Sequence, residues 1–424
     1  MTAPRPTSAP RPTRAPHRVL TLLLSVAAAL LPLAPDPAPR RARRPRPPPP
    51  PPPPSRCTTT PPTPAPTSAT APSPPTWCPT VCTPLVAGGA LPAETTWKSL
   101  VAQYDTHPDA PLVLDCESLY LTGDAATAAD HLNRLATLQS WARQVAPTQL
   151  IGWYGLLGNT ATAHQGLYRQ LIAQDRNTAF FPSAYTYATG YDSWLTTLKG
   201  NLAAAAQIDP AVPVLPYVWP QYHDGTGALS LTWVPAAQFA FQLATLHDLG
   251  LPGAVVWGGS NPAVCDTACQ NGAGSQGWLP ATRAFLDWSA GPEATAADLA
   301  LGRPVTVSSS YSSTLTGPNA VDGSPYTRWA SAYADPQSLT VDLGAVRTVE
   351  GVRLVWNTGY GSAYRVQLST DGSAWTTVRT VTGGTGGVEY LTGLHGTGRY
   401  LRLDLTTRGT AYAYSLWSLD AYAV

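Results

Sequence analysis

From about residue 85 the chain alternates short apolar runs with longer amphipathic stretches. The runs "LVLDC" (112–116), "QLIGWYG" (149–155), "AFFPSAY" (179–185), "VPVLPYV" (212–218) and "GAVVWGG" (253–259) are short enough for buried strands. Between them, 125–145, 162–175, 191–206 and 235–249 carry apolar residues at helical spacing. The last of these follows "TWVP", with Pro235 in the first turn, and stops at Gly250. Strand followed by helix followed by strand predicts parallel strands joined by right-handed crossovers, and five such units predict part of a (β/α) barrel. Chemistry in a barrel gathers at the C-terminal ends of its strands. Those ends here are Asp115/Glu117, Trp153/Tyr154, Tyr185, Tyr217/Tyr222 and Trp257.

Near Leu299 the period changes from helical to two. "SLTVDLG", "GVRLVW", "YRVQLSTDGSAWTTV" and "RYLRLDL" alternate apolar and polar positions, with turn signals between them, "STDGS" (369–373) among these. That pattern predicts a β-sandwich. The expected fold class is therefore α/β plus all-β. A (β/α) barrel over 85–292 is followed by a β-sandwich over 299–424.

The first strand end raises a chemical possibility. Asp115 and Glu117 are two residues apart, so on an extended strand they share a face. Two carboxyl groups on one face repel, and one then tends to keep its proton, which makes a general acid near neutral pH. The same residues also fit a strand end running into a solvated loop.

Composition narrows the setting. The net charge is +1 with 12 % charged residues, which leaves no basic footprint for nucleic acid. Arg5, Arg11, Arg14 and Arg18 lead into an apolar stretch at 19–34, and small residues allow cleavage near Ala34 or Ala38. Residues 1–38 thus read as an export signal, too short in its apolar part for a membrane span, and the mature chain is expected outside the cell with no stable membrane insertion. Residues 39–84, with "PRPPPPPPPPS" and a Pro/Thr/Ser tract, read as an extended linker that buries no core. Six cysteines, at 57, 78, 82, 116, 265 and 269, are an even number in an exported chain, which favours disulfides over zinc.

The barrel segment resembles the venom- and sperm-type hyaluronidase family of glycoside hydrolases. The resemblance rests on "LDCES", "GWYG", "FPSAY", "PVLPYVWPQYHD", "VVWGGS" and "FLDWSAGP", in the family's order. It implies a substrate-assisted retaining hydrolysis of glycans that contain N-acetylhexosamine. Glu117 would be the general acid, and Asp115 would hold and polarise the substrate's N-acetyl group. Tyr185 and Tyr222 would hydrogen-bond around that group, and Trp257 would pack behind its methyl. Trp153, Tyr154 and Tyr217 would line the substrate, and no cofactor takes part. Two features depart from the family. Its two strands before the catalytic strand have only residues 85–114 to come from, so the barrel is expected to be incomplete at its N-terminal strands. Residues 85–292 also carry roughly twice as many acids as bases, which favours a neutral N-acetylated glycan over polyanionic hyaluronan.

The C-terminal segment resembles a discoidin domain (coagulation-factor type C) of the galactose-binding-like kind found as carbohydrate-binding modules on bacterial glycosidases, which implies a jelly-roll sandwich. "LALGRPVTVSSS", "NAVDGSPYTRWAS", "DPQSLTVDLG", "YRVQLSTDGSAW" and "GRYLRLDLTTRGTAYAYSLWSL" carry the resemblance. It implies binding through loops at the end of the sandwich, with Tyr333, Tyr360, Arg408 and Tyr412 as candidates, and a structural Ca²⁺ near Asp322. The family usually has Glu after "SLW", where this chain has Ser418.

Together these readings predict a secreted, monomeric glycoside hydrolase held on its polysaccharide or glycoconjugate substrate by a C-terminal module. The alternative is a non-catalytic glycan- or surface-binding protein with a degenerate barrel. A lysozyme-like, peptidoglycan-acting barrel also uses paired acids, but the "LPYVW…YHD" segment argues against it.

Overall fold

The computed structural model describes residues 21–23, 77–78, 90–105, 110–257 and 277–424. The export signal and linker lie outside the described residues, apart from short strand fragments at Thr21–Leu23 and Trp77–Cys78. The chain divides into two compact units. Among the described residues, one holds Leu23, 77–78, 90–105, 110–182 and 205–212, and the other holds 21–22, 183–204, 213–257 and 277–424.

The first unit contains a parallel three-stranded sheet in the order β1 (Trp77–Cys78), β2 (Leu112–Leu114), β3 (Ile151–Trp153). Helix α1 (Glu94–Tyr104) packs against α2 (Ala125–Val145), and the buried Trp97 donates its indole N–H to the Leu138 carbonyl at 2.9 Å. Asp124 caps α2 by accepting from the Thr127 N–H at 2.7 Å, and the helix covers the expected stretch. Arg143, near its C-terminal end, donates to the carbonyls of Ala146, Gln149 and Asn177 and to the Asp175 carboxylate. One guanidinium thus satisfies the carbonyls left over where the helix gives way to β3. Helix α3 (Gln165–Gln174) follows a single 3₁₀ turn at Thr162–His164.

The second unit holds the remaining parallel pair, β4 (Tyr217–Val218) beside β5 (Gly253–Val256). Its helices are α4 (Tyr191–Ile208, which ends in the first unit), α5 (Ala236–Asp248) and α6 (Trp278–Ala290). Pro235 stands at the N-cap of α5, one position earlier than expected, and Gly250 ends the helix with φ +68°. The expected strand at 212–218 shrinks to two residues because Pro213 and Pro216 have no N–H to donate. The Pro216 carbonyl still accepts from Val255 at 2.9 Å. The expected run at 179–185 forms only isolated bridges: Tyr154 with Phe181 in the first unit, Ser183 with Tyr217 in the second. Among the described residues no helix is long and apolar enough to cross a membrane.

The rest of the second unit is the sandwich. Its strands are β6 (Val305–Val307), β7 (Trp329–Ala330), β8 (Gln337–Trp356), β9 (Gly361–Ser369), β10 (Thr376–Thr382), β11 (Val388–Arg408) and β12 (Ser415–Tyr422). They pair in the order β10-β9-β11-β8-β12-β7, with β6 also on β8. β8 and β11 are long enough to bend and serve both layers. Residues 337–342 of β8 pair with β11 at 400–405, beside β6 and β9; residues 351–355 pair with β11 at 388–392, beside β12. The register shifts between Thr392 and Gly396 and between Gly398 and Tyr400 mark the fold-over in β11. Leu339, Val341 and Leu343 from one layer meet Val352, Leu354 and Trp356 from the other in a common core.

Along 337–343 burial alternates, as a half-buried strand requires. Along 351–356 every residue is buried, because α5 packs on the outer face of that layer, where Phe241 of α5 lies 5.4 Å from Trp417 of β12.

Candidate functional site

Three tyrosines stand out at one end of the sandwich. Tyr311, Tyr333 and Tyr412 expose 56 %, 56 % and 57 % of their surface, in a domain whose other large aromatics are mostly buried. Backbone bonds bring their loops together. Tyr311 N–H donates to the Ala330 carbonyl at 2.7 Å, and Ser331 N–H donates to the Tyr414 carbonyl at 2.9 Å. The rings of Tyr311 and Tyr333 then meet edge to face, with centroids 5.6 Å apart.

Polar groups lie close by in sequence. Asp335 accepts from the Tyr414 hydroxyl at 2.5 Å and from Arg408 Nε at 3.4 Å. Burial and the Asp335 carboxylate together push the Tyr414 phenol up, so it remains a donor that fixes Asp335. Arg408 and Asp335 keep 24 % and 33 % of their side-chain surface exposed, so both can still reach a ligand.

Glycines let the loops approach. A Cβ on Gly359 would lie 1.8 Å from the Ala413 carbonyl oxygen, and one on Gly409 would lie 2.0 Å from the Tyr360 ring. Tyr360 is accordingly a half-buried wall of the cluster, packed against the sandwich core. Of the expected residues, Tyr333 touches Tyr311 and Arg408 pairs with Asp335, while Gly409 N–H donates to the Tyr360 carbonyl and Tyr412 lies on the loop that follows. Sequence reasoning missed Tyr311 and Asp335. The signal for Tyr311 was present: a large aromatic alone in "VSSSYSST", between strands where nothing apolar is needed.

Asp322 lies in a different turn. Its two carboxylate oxygens accept from the Ser324 N–H at 2.9 Å and the Thr327 hydroxyl at 2.7 Å. Ser418 donates to Asp420 at 2.9 Å. Among the described residues no three His, Cys, Asp or Glu side chains gather as metal ligands. A single carboxylate already engaged by its own turn is a poor fit to a calcium cage, which draws six to eight oxygens.

In the first unit, β2 ends at Leu114, and the chain leaves the extended form at Cys116 with φ −136° and ψ 76°. Period two does not carry across that break. Asp115 is buried, whereas Glu117 is exposed at the start of a 3₁₀ turn, so the two carboxylates do not share a face. Cys116 between them is held in a disulfide. Trp153 is buried and donates its indole N–H to Gln139 of α2 at 2.7 Å, and Gln139 in turn donates to Asp175. That side chain is committed to the helix layer. Tyr154 is half-buried and bonded through its N–H to the Leu114 carbonyl at 2.8 Å.

In the second unit, Tyr185 is buried edge-on against Trp219 at 5.3 Å. Tyr222 is buried, and that burial pushes its phenol up. Tyr217 lies within β4, and Trp257 donates its N–H to the Val218 carbonyl just past β5.

The strands thus form a two-layered β-sandwich with exposed aromatics in its loops. Residues 304–419 match the F5/8 type C domain, and this part of the chain belongs to that family. Chitosan-binding module 1, derived from a chitosanase/glucanase of Paenibacillus sp. IK-5, is 43 % identical, over 30 % of this chain and 98 % of the module, with a TM-score of 0.29. Module 2 of the same enzyme, solved in complex with chitotriose, is 39 % identical over 30 % and 99 %, with a TM-score of 0.29. A Clostridium perfringens domain solved with GalNAc-β-1,3-galactose is 20 % identical over 30 % and 100 %, with a TM-score of 0.28. No curated protein matches the chain.

Proposed function

We propose that the chain is a glycan-directed protein whose F5/8 type C domain docks on carbohydrate through Tyr311, Tyr333 and Tyr412. The observation that carries this reading is their shared exposure on loops that backbone hydrogen bonds and the Asp335–Arg408 pair tie to one another. A pyranose ring has an apolar C–H face and a rim of hydroxyls. An exposed aromatic takes the first, and a carboxylate and a guanidinium take the second. The chitotriose and GalNAc-β-1,3-galactose held by the similar domains are sugars of this kind, and amino-sugar chains are the ligand class we favour.

The α/β part supports a second reading, glycoside hydrolysis of N-acetylhexosamine glycans. Its motive is Glu117, exposed just past the C-terminal end of a parallel strand, with the buried Asp115 two residues before it. In this reading Glu117 protonates the glycosidic oxygen. Asp115 holds the substrate's N-acetyl group, whose carbonyl attacks the anomeric carbon. Export and a monomeric state belong with it, since such polymers lie outside the cell. Without turnover, the protein is a pure binder.

Sedimentation with insoluble polymers tests the main reading. The chain is expected to pellet with chitosan or chitin and to be released by soluble chitotriose. Failure to pellet with chitosan, chitin, galactan and peptidoglycan alike would end it.

A further inference from the structure

The α/β part of the second unit carries its own exposed aromatic. Tyr187, 48 % exposed, stacks on His223 with centroids 4.7 Å apart and planes 29° from parallel. His223 is backed by Tyr185 at 5.7 Å and by the edge of Trp219 at 5.9 Å, both buried. The backbone fixes this pair. Thr186 and Tyr222 form a parallel bridge, and His223 N–H donates to the Thr186 carbonyl at 2.9 Å, so the next residues, Tyr187 and His223, emerge side by side. The segment after them is also tied down, since Tyr222 N–H donates to Thr232 and Leu231 N–H returns to Tyr222.

Polar groups border the outer ring. His223 Nδ1 lies 2.7 Å from the Asp224 carbonyl, which can only accept, so in the neutral ring Nδ1 holds the proton and Nε2 is an acceptor. The Asp224 carboxylate accepts from Gly225 N–H at 2.8 Å and from Ser230 at 2.6 Å, both on Oδ1, which leaves Oδ2 for a ligand hydroxyl. The Ser230 and Gly225 bonds hold Asp224 below the usual carboxylate range, so the group is a fixed anion at neutral pH.

We propose that Tyr187, His223 and Asp224 form a second sugar subsite, which takes a pyranose of a neutral oligosaccharide and disfavours uronates. The C–H face of the ring lies on Tyr187, and two adjacent hydroxyls donate to His223 Nε2 and Asp224 Oδ2. A uronate would bring its own carboxylate towards that of Asp224, and like charges repel. The subsite stands whether the α/β part cleaves glycans or only binds them.

The test uses the whole chain with Tyr311, Tyr333 and Tyr412 all changed to alanine, which removes the sandwich platform. Saturation-transfer NMR is read on chitotetraose and on a hyaluronan tetrasaccharide. Chitotetraose is expected to receive saturation, with the hyaluronan fragment weaker. Adding Tyr187→Ala should lower the chitotetraose affinity about tenfold, as loss of one stacked ring implies, whereas Tyr187→Phe should keep it. Asp224→Asn should narrow the gap between the two sugars. No transfer to chitotetraose at millimolar concentration, or equal affinity with Tyr187→Ala, would overturn the proposal. Binding lost at the sandwich but kept here separates this site from the first.

Discussion

Arg353 of β8 donates to both carboxylate oxygens of Asp248 in α5, at 2.8 and 2.9 Å, from 105 positions away in sequence. Its Nε donates to Asp420 of β12 at 2.6 Å, and the guanidinium lies 4.8 Å from the Trp288 ring of α6. Burial alone would lower the Arg353 pKa, but Asp248 and Asp420 outweigh it and hold the group well above its usual value. Around this cluster the outer face of the sandwich is apolar, with Phe241 of α5 on Trp417 and Trp288 of α6 on Tyr390.

Breaking that cluster from one side should be severe. Arg353→Met leaves two acids buried without their counter-ion, which typically costs about 3–5 kcal/mol. Changing Asp248 and Asp420 to leucine in the same chain should recover most of that loss, because an ion cluster and a packed apolar one are often similar in stability. Urea denaturation reads both. A loss under about 1 kcal/mol in the single variant would contradict the buried-ion account.

Gly409→Ala should act at the proposed sugar-binding surface. Its Cβ would fall 2.0 Å from the Tyr360 ring, so the ring or the loop has to move. Overpacking of this kind costs about 1–3 kcal/mol, and the displaced loop carries Arg408 and Tyr412. Sugar affinity should fall with stability, as measured by calorimetric titration and thermal melting of the same sample.

Asp342 gives a pH dependence with a definite sign. Its hydrogen bond from Arg399 is the largest cause that holds its pKa at about 2, below its ordinary value of 3.8. The unfolded chain therefore binds this proton first as pH falls. The contribution is fully present above about pH 4 and is lost as pH falls towards about 2. The pair is partly exposed, so solvent screening limits it to under about 1 kcal/mol. Urea midpoints between about pH 2 and pH 6 should show a slope that Asp342→Asn lacks.

Glu117→Gln tests the hydrolytic reading. Reducing-end release from chitin oligomers should fall by at least about a hundredfold, the usual size of general-acid catalysis. Polymer binding should be unchanged. Full turnover in the variant would remove Glu117 from the mechanism, and no turnover in the parent on any N-acetylated glycan would leave the pure binder.

Legibility in the sequence followed the physics of exposure. Helix α2 over 125–145 was readable because only one of its faces is buried and Asp124 caps it. The strand around Leu339–Leu343 was readable for the same reason. The stretch 351–356 loses its alternation because a helix covers the second face, and nothing in those residues says which helix. Asp115 and Glu117 were read as neighbours on a strand, but period two holds only while the strand continues, and it stops at Leu114. Trp153 looked like a sugar platform, yet its indole N–H found Gln139, a long-range partner with no local signature. At the sandwich end, Tyr333 and Tyr412 were identifiable as loop residues and Arg408 as the end of a strand, whereas the Asp335 contact shows only once Tyr414 is folded beside it.

The most direct test of the account is calorimetric titration of chitotriose into the chain carrying Tyr187→Ala, so that only the sandwich site is read. We predict saturable binding that weakens at least about tenfold in Tyr333→Ala and again in Tyr412→Ala, with melting temperatures unchanged. Undiminished affinity after both tyrosines are removed would contradict the assignment of that surface to sugar.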